Sequence, residues 1–438
     1  LAINYDLVVK NGRVYTTSGQ LTIDIWIKDG RVAALGGPHK AEEKIDAHGM
    51  IVLPGAVDVH VHFRDPGQTY KEDWESGSIA AAAGGATTVV DQPNTEPRTL
   101  DSGSFELKLD SARHKSVVDF CINGGPGRID ELAGLGASAI GEIFAYEHSD
   151  DKLWKILGEV GSAGMIPTIH AEDGVLIKEH TEPLLGVHEP EVYSKARPAV
   201  AEATTIDKVL SWTDRAHICH ISTVAGMNLV KEAKKKGKSA SCEVTPHHLL
   251  FNIKDYKGHG SFLKMNPPLR TQNDCDALFG GLRDGTIDIV ASDHAPHLPE
   301  EKREDIWEAP AGVPGVETML PLMLIAVRRN ILSLERLVHA ISSRPAELFG
   351  LESKGRIEIG RDADLVIVDP KAITEIRADR LHSRADWTPY EGMDGIFPKM
   401  TIVRGTVVFD GDVEVHAGYG RFLKKSTRKV SGAQEKSL

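Results

Sequence analysis

Cysteine is scarce in this chain. Its four cysteines, Cys121, Cys219, Cys242 and Cys275, stand far apart in 438 residues and form no C-x-x-C pair. That argues against a disulfide framework and fits buried thiols in a reducing compartment, so a cytoplasmic setting is expected. Positive charge is also in deficit: 51 Lys and Arg against 63 Asp and Glu leave a net charge of −12. An acidic balance argues against nucleic acid or an anionic membrane as the main partner. A small anionic substrate would need local positive charge or a metal. No apolar run is long enough to span a bilayer. The first residues show no charged stretch followed by an apolar core, so no signal peptide is expected. A glycine fingerprint of the dinucleotide-binding kind and internal repeats are likewise missing.

What is present is a change of pattern along the chain. The ends are rich in short alternating strands. Residues 6–10 run into Asn11-Gly12, read as a hairpin turn, and residues 24–28 run into Asp29-Gly30. Residues 364–368 and 402–409 repeat the style. Neither end alone could bury a sheet face, so together they are expected to form a small β-sandwich. Between them, β-rich runs alternate with helical stretches, including 203–215 and 225–236. Eight such βα units favour a closed (β/α)8 TIM-like barrel over an open sheet. The expected organisation is therefore a sandwich portion at 1–53, a metal-dependent catalytic barrel at 54–357, the returning sandwich portion at 358–423, and a flexible tail at 424–438.

The residues that carry chemistry fall where such a barrel keeps its reactive groups, at the C-terminal ends of the strands. His60 and His62, in GAVDVHVHFRDPG (55–67), share one strand face at i and i+2 and offer two imidazoles to a divalent metal. Taken alone, the pair could equally be two satisfied core histidines. The other strand ends carry Asp91 to Thr95, Glu142, His170 with Glu172, His220, Glu243 to His248, and Asp293 to His297. Four histidines plus Glu142 and Asp293 on one rim read as a metal site. The segment 297–315, charged and bounded by Pro and Gly, reads as a mobile lid or a solvated loop.

Several motifs resemble a known family. HFRDPG at 62–67, QPNTEP at 92–97, EVTPHH at 243–248, KMNPPLR at 264–270 and ASDHAPH at 291–297 are similar to those of the type I dihydroorotases, cyclic amidases of the amidohydrolase superfamily. GRDADLVIV at 360–368 and SRADWTP at 383–389 extend the resemblance over nearly the whole chain. The resemblance implies zinc, one or two ions per subunit, with His60, His62 and Asp293 on the first and His170 and His220 on the second. Many members bridge the two ions with a carbamylated lysine on the fourth strand. Here that position holds Glu142, and no lysine follows it before Lys152. Glu142 could bridge through its own two oxygens, or stand behind a single ion. Asp293 is implied as the catalytic proton carrier, or as a ligand only. Arg64, Asn94, Asn266, His297 and the backbone at Pro314 and Gly315 are implied substrate contacts. The implied reaction is the reversible cyclisation of N-carbamoyl-L-aspartate to L-dihydroorotate in pyrimidine synthesis. A homo-oligomer is expected, with aspartate carbamoyltransferase as a candidate partner. The competing readings are an allantoinase or hydantoinase-like cyclic amidase, and an inactive scaffold relative.

Overall fold

The computed structural model describes residues 4–424. The chain opens with β1 (Asn4–Lys10), β2 (Arg13–Thr16), β3 (Gly19–Thr22), β4 (Ile25–Lys28), β5 (Arg31–Leu35), β6 (Lys40–Asp46) and β7 (Ile51–Pro54). The expected turn at Asp29-Gly30 joins antiparallel β4 and β5, with both turn residues at positive φ. The expected hairpin at Asn11-Gly12 does not form. Asn11 does take φ 62°, but the corner carries the chain from one sheet to the other. β1 pairs with β4 and β6, while β2 pairs with β3 and β7. Gly12 is needed there because a Cβ would meet Val52 and Ala47.

Eight parallel strands follow: β8 (Ala56–Val61), β9 (Ala86–Asp91), β10 (Asp119–Ile122), β11 (Ile140–Phe144), β12 (Pro167–His170), β13 (Arg215–Ile218), β14 (Ser239–Val244) and β15 (Ile289–Val290). They run in chain order as a three-stranded and a five-stranded arc. Parallel bridges Gly124–Ile140 and Val61–His294 close the arcs into a (β/α)8 barrel. The strands are almost wholly buried, as expected of strands filled inside and covered by helices outside. The helix expected at 203–215 instead spans Ala199–Trp212, starting after Pro198, and Arg215 already belongs to β13.

β16 (Leu365–Val368) returns to pair with β7, a small pair β17 (Thr374–Glu375) and β18 (Asp394–Gly395) follows, and β19 (Pro398–Val403) with β20 (Thr406–Phe409) completes a six-stranded sheet. That sheet and the four-stranded sheet of β5, β4, β1 and β6 enclose Leu7, Val9, Ile25, Ile27, Val52, Leu365, Ile367 and Ile402. The sandwich is thus built from both ends of the chain. The last described stretch then leaves it and runs beside β10, where Phe120 donates its N–H to Arg421 O at 2.9 Å. The expected tail lies, beyond Lys424, outside the described residues.

The segment 297–315 closes one side of the barrel mouth and is pinned. Lys302 is fully buried, and its ammonium donates to the carbonyls of Lys264, Pro310 and Gly312 at 2.9, 2.9 and 3.0 Å. Burying an ammonium is costly unless its donors are satisfied, and three carbonyls satisfy this one. Between the two readings of this segment, a wall anchored at its middle describes it better than a freely hinged lid. Among the described residues no helix is long and apolar enough to cross a membrane.

Candidate metal centre and substrate cavity

The barrel brings the predicted metal ligands together. Donor atoms of His60, His62 and Asp293 lie within 4.8 Å of one another, and so do those of His60, Glu142 and His220. His170 joins the second group through Glu142, its Nδ1 lying 2.9 Å from Oε1. All six side chains are buried.

Local sequence explains each placement. Asp58, His60 and His62 share the period-two face of β8, and Asp58 accepts from the backbone N–H of His60 and Ser292. That ties the first strand to the last one. Glu142 follows Gly141, whose φ is 144° and whose missing Cβ avoids overlap with Thr168. Arg64, His220 and Asp293 sit at φ 59°, 30° and 46°. Positive φ costs a non-glycine residue of order 1–3 kcal/mol, and residues held there cluster at functional sites.

The hydrogen bonds leave acceptors facing acceptors. His60 Nδ1 donates to Glu243 Oε1 at 2.5 Å, which leaves the Nε2 lone pair pointing at Glu142 and Asp293, 3.5 and 3.6 Å away. That nitrogen is buried and has no hydrogen-bond partner among the described residues. His62 Nδ1 donates to Asn94 Oδ1 at 2.6 Å, so its Nε2 lone pair faces Asp293 Oδ1 at 3.1 Å. His170 Nε2 donates to Glu172 Oε2 at 2.7 Å, and its other nitrogen faces Glu142 together with His220 Nε2, which is 2.7 Å from the same oxygen. A cation between these groups satisfies all of them at once. The residues present therefore fit a divalent metal, and imidazole with carboxylate suits zinc.

A cavity of about 560 Å³ opens over this cluster. Arg64, Asn94, Asn266 and His297 line it with Glu142, His170, His220 and Asp293. Asn266 Oδ1 accepts from Tyr193 Oη at 2.7 Å. Arg64 Nη2 lies 3.1 Å from His297 Nε2. Pro314 and Gly315 are not among the lining residues. They face a narrow gap on the far side of His294, whose Nδ1 accepts from Gly315 N at 3.1 Å. The wall they were expected to supply comes from Ala311 and Gly312, brought in by the Lys302 anchor.

Three buried groups at the site carry no role in the sequence reading. Glu243 orients His60 and His217, and Glu172 orients His170 while taking Arg197 at 2.5 Å. Lys71 reaches the cavity from the loop after β8. The two carboxylates were visible as strand-end residues. The sequence gives no sign that Lys71 turns inward.

The amidohydrolase family pattern matches residues 51–408. A dihydroorotase of Methanosarcina acetivorans is 46% identical over 458 residues, covering 99% of this chain and 98% of that protein. A dihydroorotase of Halobacterium salinarum is 43% identical over 434 residues, covering 96% and 99%. Among solved structures, the L-hydantoinase from Arthrobacter aurescens superposes with a TM-score of 0.92 at 33% identity, covering 96% of this chain and all of that one.

Proposed function

This chain belongs to the amidohydrolase family, and from that premise we propose that it is a dihydroorotase, interconverting N-carbamoyl-L-aspartate and L-dihydroorotate in pyrimidine synthesis. The observation that carries the choice within the family is the convergence of Arg64, Asn94 and His297 on the cavity above the histidine–carboxylate cluster. Dihydroorotate differs from the neutral rings of hydantoin and allantoin by a carboxylate, and a guanidinium fork suits that group.

His60, His62 and Asp293 would hold one zinc ion, and Glu142, His170 and His220 a second, with Glu142 shared in place of a carbamylated lysine. Bound there, the ions would polarise the amide carbonyl and lower the pKa of a water molecule. The chain's residues do the rest. Arg64, Asn94 and His297 bind the substrate carboxylate and fix the ring edge. Asn266, held by Tyr193, supplies an amide on the opposite wall. Asp293 accepts a proton. In ring closure the ureido nitrogen bonds to the side-chain carboxyl carbon and loses its proton to Asp293. The same proton then leaves with the departing oxygen as hydroxide, and a second proton from solvent completes the water. Hydrolysis runs these steps backward.

The setting that suits this step is the cytoplasm, with the chain as a homo-oligomer and an aspartate carbamoyltransferase making its substrate. The deciding experiment is turnover of L-dihydroorotate, allantoin and hydantoin by the zinc-loaded chain. Dihydroorotate should be hydrolysed fastest, and hydrolysis of allantoin alone would reject the assignment. Metal analysis of Glu142→Ala tests the shared ligand. Occupancy of at least one site should fall, and unchanged metal content would remove Glu142 from the set.

A further inference from the structure

Lys71 is an ammonium buried at the wall of the substrate cavity, with 7% of its surface exposed. Its Nζ has two neighbours of opposite meaning. It donates to His297 Nδ1 at 3.1 Å, and it pairs with Glu301 Oε1 at 3.1 Å. An ammonium has no lone pair, so this contact puts a full positive charge on the Nδ1 side of His297. On the other side, His297 Nε2 lies 3.1 Å from both Arg64 Nη2 and Ala311 O. The Arg64 and Lys71 cations thus flank His297 at one corner of the cavity and make a seat for a carboxylate. Burial and the Arg64, Lys71 and Lys302 cations keep His297 neutral, far below the ordinary imidazole range.

The second contact restrains this device. Glu301 lies on the short helix Pro299–Lys302, where its other oxygen accepts from Leu298 N at 3.0 Å. It is only part-buried, with 27% of its side chain exposed. With no substrate carboxylate present, it is the anion nearest to Lys71.

We infer that Lys71 is a specificity-determining residue of the carboxylate seat: beside His297 it supplies charge that favours anionic over neutral cyclic amides, while Glu301 competes for that charge. This rests on the dihydroorotase reading of the site.

The test is steady-state kinetics of Lys71→Met and Glu301→Gln on L-dihydroorotate. Both substitutions break the same ion pair, so a pair that merely braces the loop would shift both variants alike. The inference requires opposite behaviour. Lys71→Met should raise KM about tenfold, equivalent to about 1.4 kcal/mol of binding, with kcat within about threefold. Glu301→Gln should leave KM level or lower it. Parallel changes, or a fall in kcat with KM unmoved in Lys71→Met, would overturn it. Wild-type turnover judges the dihydroorotase reading separately. If dihydroorotate is not turned over, equilibrium binding of orotate against uracil decides the role of Lys71. The preference for the carboxylate-bearing ring must shrink in Lys71→Met, and an unchanged preference rejects the role.

Discussion

The barrel buries an ionic cluster at each end, and the two are built in opposite ways. At the N-terminal end, Asp119 at the start of β10 meets Asp362 and Asp364 ahead of β16. Lys354 fills the space between them, with its Nζ 2.5, 2.7 and 3.1 Å from Asp119, Asp364 and Asp362, and Arg404 pairs with Asp119. At the C-terminal end, Glu142 and Asp293 face the histidines, and among the described residues no lysine or arginine is paired with either. Lys71 and Arg64 lie to the side, directed at His297. The lower cluster brings its own cation and is closed. The upper cluster leaves the place of the cation to something from outside. A buried carboxylate group alone therefore does not mark a metal site. What marks it is the lone pair of His60 with nothing to receive it.

This contrast yields separable consequences. Asp293→Asn should lower kcat by about a thousandfold, within the range for a positioned acid–base group, and leave the urea midpoint nearly unchanged. Comparable losses of activity and stability would mean that the rim is structural like its counterpart. Lys354→Met should do the reverse. Removing one partner of a buried ion pair costs about 3–5 kcal/mol, so unfolding should shift to markedly lower denaturant while kcat of the folded fraction holds. Arg404 still pairs with Asp119 in this variant, and protons relieve the carboxylates left without Lys354. The stability of this variant should therefore recover as pH falls from 7 toward 5, and a midpoint flat with pH would contradict the account. Glu243→Gln tests the layer behind the rim. Losing the carboxylate that orients His60 should weaken zinc affinity by about 10–100-fold, read by competition with a chromogenic chelator. Unchanged affinity would leave Glu243 a packing group.

The upper cluster was largely legible in the sequence because strand-end placement is a local property. Residues such as His60, Asp293 and Glu142 each sit at a point where a β-rich run gives way to a polar loop, and the barrel does the converging. The sandwich was legible as strands but not as pairings. Asn11-Gly12 carries the backbone signal for a turn, yet β2 pairs with β3 and β7 rather than with β1, a choice made by partners distant in sequence. Lys354 and Lys302 were illegible for a different reason. Lysine is ordinarily a surface residue, and only three-dimensional neighbours turn either one inward. Pro314 and Gly315 are absent from the cavity lining, where Ala311 and Gly312 stand beside the Lys302 anchor.

The smallest effect concerns His247, which stands behind the rim rather than on it. Both of its ring nitrogens are buried without a hydrogen-bond partner among the described residues. Burial, opposed by Asp293 and reinforced by His220 and His60, pulls its pKa down to about 4. The unfolded chain titrates this group near the ordinary imidazole value of about 6.5. Between the two values the unfolded state binds a proton that the folded state refuses. Stability is therefore fully present above about pH 6.5 and falls as pH drops toward 4, by up to about 1.4 kcal/mol per pH unit for that one proton. Leucine at this position keeps the volume and removes the proton. His247→Leu, measured beside wild type with both chains stripped of metal, should thus gain on wild type between pH 7 and pH 5. Two curves that stay parallel across that window would mean that His247 finds a partner in solution and that its isolation is not part of the design of the upper end.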